Sequence, residues 1–155
     1  MSKQRTLYFA YGSNLNMEQM LRRCPKARPV QPYLHVGYHL VFRGVADITP
    51  ASEDFVLGAL WSITGACELA LDRYEGYQPH SPDSGMYRKI YWQDRVQGED
   101  VRIMAYTMNS YRFCPPSESY LECIRQGYRD WGLDQGILTE ALDMTNFQAR
   151  SKLKR

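Results

Sequence analysis

Tyr8-Phe9-Ala10-Tyr11-Gly12-Ser13-Asn14 decides how this chain is read. An aromatic, β-favouring run stops at Gly12-Ser13-Asn14, and Asn16-Met17-Glu18-Gln19-Met20-Leu21 then reads as the opening of a helix. A strand that feeds a glycine-containing turn at the head of a helix builds an anion cradle. The glycine can take backbone angles closed to other residues, the following amides converge, and the helix dipole favours negative charge. Such a cradle suits a carboxylate. Taken alone, the heptapeptide equally describes an ordinary strand-to-helix turn, which is the commoner outcome of the pattern.

Outward from this stretch the chain reads as strand-rich. Strands are expected at Thr6 to Tyr11, Tyr33 to Phe42, Phe55 to Ile63, Tyr87 to Trp92 and Val101 to Met108, with a further one at Val45 to Thr49. Gln97-Gly98-Glu99-Asp100 has the look of an antiparallel hairpin turn. Phe55 to Ile63 is apolar on both parities, as an interior strand must be. Cys67, Ala70, Leu71 and Tyr74 recur at helical spacing, entered after Thr64 and stopped at Gly76. A second helix is expected from Ser119 to Trp131, with Ser119 and Glu122 as a capping box. The expected fold class is α+β, a mostly antiparallel, barrel-like mixed sheet with flanking helices. It forms a single domain over residues 1–155, with its core between about 6 and 147.

Composition narrows the function. With 155 residues, 44% hydrophobic and 23% charged, the chain can bury a real core without disulfide or metal staples. Its net charge of +2, with both signs interspersed, leaves no footprint for nucleic acid. The basic Arg150-Ser151-Lys152-Leu153-Lys154-Arg155 reads as a solvated, frayed tail. Met1 to Thr6 is polar and the apolar run after it is too short for a signal peptide or a membrane span, so a cytoplasmic protein without membrane partners is expected. Cys24, Cys67, Cys114 and Cys123 show no Cys-x-x-Cys spacing and read as reduced thiols. His35 and His39 have the spacing of a helical ligand pair, but the segment around these two histidines alternates: Leu34, Val36, Tyr38, Leu40 and Phe42 share one face, with His35 and His39 on the other. Strand residues four apart lie roughly 13 Å from each other, too far to share a metal ion. His80 has no catalytic partner in sequence, and no metal site is expected.

Leu71-Asp72-Arg73-Tyr74-Glu75-Gly76-Tyr77 is the second stretch with chemistry in it. A helical wheel places Glu68, Asp72 and Glu75 on one polar face, which by itself describes three solvated acids. Glu75, however, stands at the helix C-terminus, where the macrodipole disfavours a carboxylate, and between Tyr74 and Tyr77, which can desolvate it. Both influences raise its pKa toward the range useful for acid/base work.

Together with Ser84-Gly85-Met86-Tyr87, Tyr106 and Met108, and Pro115-Pro116-Ser117 followed by Tyr120, these two stretches resemble the γ-glutamylcyclotransferase family, which includes the AIG2-like proteins. The matches run in the family's order from about Tyr8 to Leu133. The resemblance implies a barrel-like sheet around a polar cavity and cyclisation of a γ-glutamyl amide to 5-oxoproline and a free amine, by cofactor-independent acyl-transfer or lyase chemistry. It implies that Glu75 is the catalytic acid/base, that Tyr8, Phe9, Ala10, Tyr11, Gly12, Ser13 and Asn14 form the substrate-binding loop, and that Tyr87, Tyr106 and Tyr120 line the cavity. Each tyrosine alone reads equally as core packing, since the chain has 12 of them. The spacer Gln78-Pro79-His80-Ser81-Pro82-Asp83 is longer than in the glutathione-pathway members, which leaves the amine open. The alternatives are a member specific for another γ-glutamyl amine, such as γ-glutamyl-lysine or a γ-glutamyl-protected metabolite, and a noncatalytic carboxylate-binding module. The expected partner is the small-molecule substrate, with the chain a monomer or homodimer.

Overall fold

The computed structural model describes residues 5–153. In chain order it contains β1 (Thr6–Ala10), a 3-10 turn (Ser13–Leu15), α1 (Met17–Arg23), β2 (Arg28–Phe42) and β3 (Ala46–Ser62). These are followed by α2 (Gly65–Glu75), β4 (Tyr87–Val96), β5 (Glu99–Met108), α3 (Glu118–Trp131) and α4 (Gln135–Leu153). The five strands form one mixed sheet in the order β2-β3-β1-β5-β4, with β1 and β5 parallel and the other neighbours antiparallel. Its central strand, β1, is buried on both faces, as are Val56, Ala59, Leu60 and Trp61 of β3 beside it. The short Val45 to Thr49 candidate and Phe55 to Ile63 prove to be the two ends of one long strand, β3.

The sheet curls but does not close into a barrel. Its edges, β2 and β4, are joined by side chains instead of backbone hydrogen bonds. Tyr33 on β2 donates its hydroxyl to Asp94 on β4 and accepts from the Trp92 indole at 3.1 Å, and His35 stacks on Trp92 with ring centroids 3.8 Å apart. That seam depends on a parity switch absent from the simple alternation. The β2–β3 register shifts between Val36 and Tyr38, at Gly37 with φ +86°. Gly37 alone stands opposite residues 51–54 of β3, and across this irregularity the faces of β2 swap. Leu40 and Phe42 therefore point into the core as the pattern says, whereas Leu34 and Val36 are exposed and His35 is buried.

Helix ends follow local chemistry. Thr64 caps α2 by accepting from the Cys67 amide at 3.1 Å, and Gly76 ends it in the left-handed region, with the Tyr77 amide returning to the Asp72 carbonyl. On α3 the cap is Ser117, which accepts from the Tyr120 amide, so the Ser119 and Glu122 capping box does not form. Glu122 pairs with Arg125 and Arg129 on the helix surface. Hairpin β4–β5 turns on Gln97 and Gly98 alone, both at positive φ. Helix α4 is the element the sequence pattern misses: only Leu138, Ala141 and Thr145 are buried among its described side chains, too few for a clear stripe. It packs on β2, where Thr145 Oγ1 accepts from the Phe42 amide at 3.1 Å. Arg150 to Leu153 thus belong to a helix and not to a frayed tail, while Lys154 and Arg155 lie outside the described residues.

Helix α3 clamps the turn that follows β1. The Trp131 indole donates to the Leu15 carbonyl at 2.9 Å, Asn16 Nδ2 to the Cys123 carbonyl at 3.3 Å, and the Met17 amide to Asp130 at 3.0 Å. The approach is so close that a Cβ on Gly127 would stand 2.5 Å from Leu15 Cβ and 2.7 Å from the Asn16 nitrogen. Gly127→Ala should therefore destabilise the protein by about 1–3 kcal/mol in urea denaturation, reversing the roughly 1 kcal/mol gain that alanine brings to an open helix.

Candidate active site

A cavity of about 210 Å³ opens where β1 ends. The β1 segment and its turn contribute Tyr8, Tyr11, Gly12, Ser13 and Asn14; β4, β5 and α3 contribute Tyr87, Tyr106 and Tyr120; and α2 contributes Glu75. Two members of the expected loop are not in the wall. Phe9 points to the other face of β1, against Tyr33 and Trp92, because side chains alternate along a strand. Ala10 is packed in the sheet opposite Ala59. Tyr74, Val45, Ala46 and Met86 also line the cavity and were missed. Tyr74 and Met86 carried a faint signal as sequence neighbours of Glu75 and Tyr87. Val45 and Ala46 carried none, since only folding brings the β2–β3 connection here. No residue from Gln78 to Asp83 lines the cavity. That loop is held on the surface, where Asn109 Nδ2 donates to the Pro82 and Gly85 carbonyls.

Gly12 is needed for space. Its φ of −120° is not left-handed, but a Cβ there would lie 3.1 Å from Ala46 Cβ and 3.2 Å from the Tyr120 hydroxyl. The 3-10 turn uses the Leu15 and Asn16 amides internally, which leaves those of Ser13 and Asn14 at its head.

Glu68, Asp72 and Glu75 do not share one environment. Lys89, reaching from β4, bonds Asp72 at 2.9 Å and Glu68 at 3.2 Å while resting over the Tyr77 ring. Glu75 turns instead into the cavity. Burial pushes its carboxyl up to about 7, and the Arg23 guanidinium pulls part of the way back. The cause is desolvation, which the flanking aromatic residues foretold; no hydrogen bond to the carboxylate from a described residue opposes it. Burial likewise holds the hydroxyls of Tyr8, Tyr11, Tyr87, Tyr106 and Tyr120 above the ordinary phenol range, so all five stay protonated.

The cavity therefore combines one carboxylate that titrates near neutrality, a ring of neutral hydroxyls, and amides at the head of a turn. Such a set can take a proton from a substrate, return it, and stabilise an oxyanion between the two transfers. Among the described residues, no group of three or more metal-ligating side chains gathers, all four cysteines are free, and no helix is long and apolar enough to cross a membrane.

Known proteins share this arrangement of sequence and fold. The γ-glutamylcyclotransferases of Bos taurus and Homo sapiens are each 31% identical over 140 residues, covering 82% of this chain and 72% of theirs. A solved structure titled "Gamma-glutamyl cyclotransferase" superposes with a TM-score of 0.73 at 27% identity, spanning 89% of this chain and 86% of that one. The family model described as "Gamma-glutamyl cyclotransferase, AIG2-like" matches residues 8–131, from the first cavity tyrosine to the end of α3. On these grounds the chain belongs to the γ-glutamyl cyclotransferase, AIG2-like family.

Proposed function

We propose that this chain is a cofactor-independent γ-glutamylcyclotransferase that converts a γ-glutamyl amide into 5-oxoproline and a free amine, with Glu75 as its acid/base. The observation that carries the reading is a single cavity carboxylate whose burial brings it to about 7. The substrate holds its own nucleophile, an α-amino group that is protonated and inert near neutrality. Glu75 removes one proton. The freed lone pair attacks the γ-carbonyl, closing a five-membered ring and moving the carbonyl electrons onto oxygen. Intramolecular attack of this kind is worth effective molarities on the order of 10⁵ M or more when the geometry is held, so positioning dominates catalysis. The Ser13 and Asn14 amides hold the α-carboxylate, and cavity hydroxyls receive the oxyanion. Collapse of the oxyanion breaks the amide C–N bond; the departing nitrogen takes back the proton held by Glu75 and receives the surplus proton of the new ring nitrogen, so the amine leaves as an ammonium, the ring closes as a neutral lactam and Glu75 is again a carboxylate. Water is neither consumed nor released.

The proposal extends to setting and partner. The reduced, unclustered thiols fit a cytoplasmic enzyme, and the balanced surface charge fits a small-molecule substrate better than nucleic acid. The amine that leaves is not defined by the Gln78 to Asp83 loop, which stands clear of the cavity, so selectivity for it rests on Tyr74 and Met86 at the wall.

The carboxylate's role has two measurable consequences. Glu75→Gln should lower turnover by roughly 10² to 10⁴-fold while the protein stays folded. A group whose folded pKa stands above its unfolded value binds extra protons in the native state, and for a carboxylate that means stability is lost as pH rises between about 4.5 and about 7. Glu75→Gln should therefore be more stable than the wild type at pH 8, by on the order of 1–3 kcal/mol, and lose that advantage near pH 4. Melting temperatures at the two pH values check this.

The reaction is tested by product analysis. A panel of γ-glutamyl amides should include one that yields 5-oxoproline and amine with no glutamate, and its N-acetylated analogue should be inert at high enzyme concentration. Glutamate as the primary product, or cleavage of the acetylated analogue, would make the chain a hydrolase instead.

A further inference from the structure

The cavity tyrosines differ in where their hydroxyl protons go. Tyr11 donates its proton to the Tyr106 carbonyl, and Tyr106 donates its own to Asp72, so neither has a proton left for a ligand. Tyr120 and Tyr8 accept instead: Tyr120 takes the Ala46 amide at 2.9 Å, whereas Tyr8 is oriented by side chains. Its hydroxyl accepts a hydrogen bond from Asn14 Nδ2 at 3.0 Å, and Asn14 Oδ1 accepts from the Arg23 guanidinium. A guanidinium has N–H groups only, so the Asn14 atom facing it must be the carbonyl oxygen, and the amide nitrogen must face Tyr8. Polarity is thus fixed along the whole line, from Arg23 through Asn14 to Tyr8. With its acceptor side engaged by Asn14, Tyr8 has a proton to offer, and its side chain lines the cavity.

Arg23 is itself held in place. Its second nitrogen donates to Gln19 Oε1 at 3.1 Å, and its guanidinium carbon lies 3.5 Å from the centroid of the Tyr74 ring. It is not in the cavity wall, and the mechanism above gives it no role beyond its pull on the Glu75 carboxyl.

We infer that Arg23, acting through Asn14, fixes the Tyr8 hydroxyl as a hydrogen-bond donor aimed into the cavity at the oxyanion of the γ-carbonyl. Tyr8 then touches the reacting atoms and Arg23 is a positioning residue. The inference rests on the cyclotransferase reading, since it names the donor for that reaction's oxyanion. Burial keeps Tyr8 protonated, so the donor persists across the pH range in which Glu75 works. Each donor in such a line also polarises the next, which strengthens the hydrogen bond at its end.

A double-mutant cycle on the full chain tests it, with 5-oxoproline release from a γ-glutamyl amide as the readout. Tyr8→Phe should lower kcat about 10²-fold and leave KM within a few-fold, the pattern of an interaction made in the transition state. Arg23→Met, which keeps the stem over Tyr74, should lower kcat about 10-fold, and Arg23→Lys, which keeps N–H donors, should recover most of that loss. Compared on the high-pH plateau of each pH profile, where the Arg23 effect on Glu75 drops out, the Tyr8→Phe/Arg23→Met double variant should be no slower than Tyr8→Phe alone, because the relay then has nothing to orient. Losses that multiply, or a folded Tyr8→Phe variant with near wild-type kcat, overturn the inference while leaving the cyclotransferase reading in place. If Arg23→Met does not fold, the kcat of Tyr8→Phe decides. A wild type that releases no 5-oxoproline from any γ-glutamyl amide overturns both.

Discussion

The pairing of β1 along both of its edges places the strand-borne walls of the cavity and sets where α2 must end. The parallel partner of β1, β5, runs in the same direction, so the C-terminal ends of the two strands come out side by side. Tyr11, just past the end of β1, consequently meets Tyr106 of β5. Its antiparallel partner, β3, does the opposite: Ser62 pairs with Leu7, at the start of β1. The chain must then travel back, and α2 does so over 11 residues, a rise of about 16 Å. That return carries Glu75 from the wrong end of the sheet to the right one. A shorter α2 would leave the carboxylate in solvent beside the strands, where it would titrate as an ordinary acid.

Delivering a carboxylate into a tyrosine-lined cavity strains the electrostatics of the fold, and the neighbouring contacts absorb the strain. Cys67 and Leu71 seat α2 in the core, and Lys89 ties Glu68 and Asp72 to β4. Asp72, one turn before Glu75, also accepts the Tyr106 hydroxyl, so the acid that is paired anchors the acid that is not. Three carboxylates spaced along one helix thus divide into two that hold the helix and one that faces the cavity.

The extent to which this was legible in sequence follows from how local each signal is. Strand and helix positions rest on alternation, helical spacing and end chemistry, and Thr64, Gly76 and the strand at Tyr8 could all be read from neighbours in the chain. Glu75 was legible for the same reason: its helix-end position and flanking tyrosines are local facts. What failed was nonlocal or broke the period. The irregularity at Gly37 reversed the faces of Leu34, His35 and Val36, and no count of alternating residues on one strand anticipates extra residues on its partner. Val45, Ala46 and Arg23 reach the site only through tertiary packing. Helix α4 lacked a strong apolar stripe because it covers the sheet with three buried residues among its described side chains. The barrel-like expectation is met up to closure: the sheet curls, but side chains and not backbone hydrogen bonds join its edges.

Because that seam is made of side chains, β2 and β4 remain the outer strands of the sheet, and outer strands are the usual templates for unwanted strand addition. The hazard is sharpest on β2, where the irregularity at Gly37 leaves Leu34 and Val36 exposed. The same strand carries Pro29 and Pro32, which cannot donate to an incoming chain, and two register irregularities that spoil a flat template. On β4 the exposed Gln93, Asp94 and Arg95 set polar and charged groups along the opposite edge. Protection of the outer strands against strand addition therefore falls to two surface prolines and a short polar run, none of which lines the cavity.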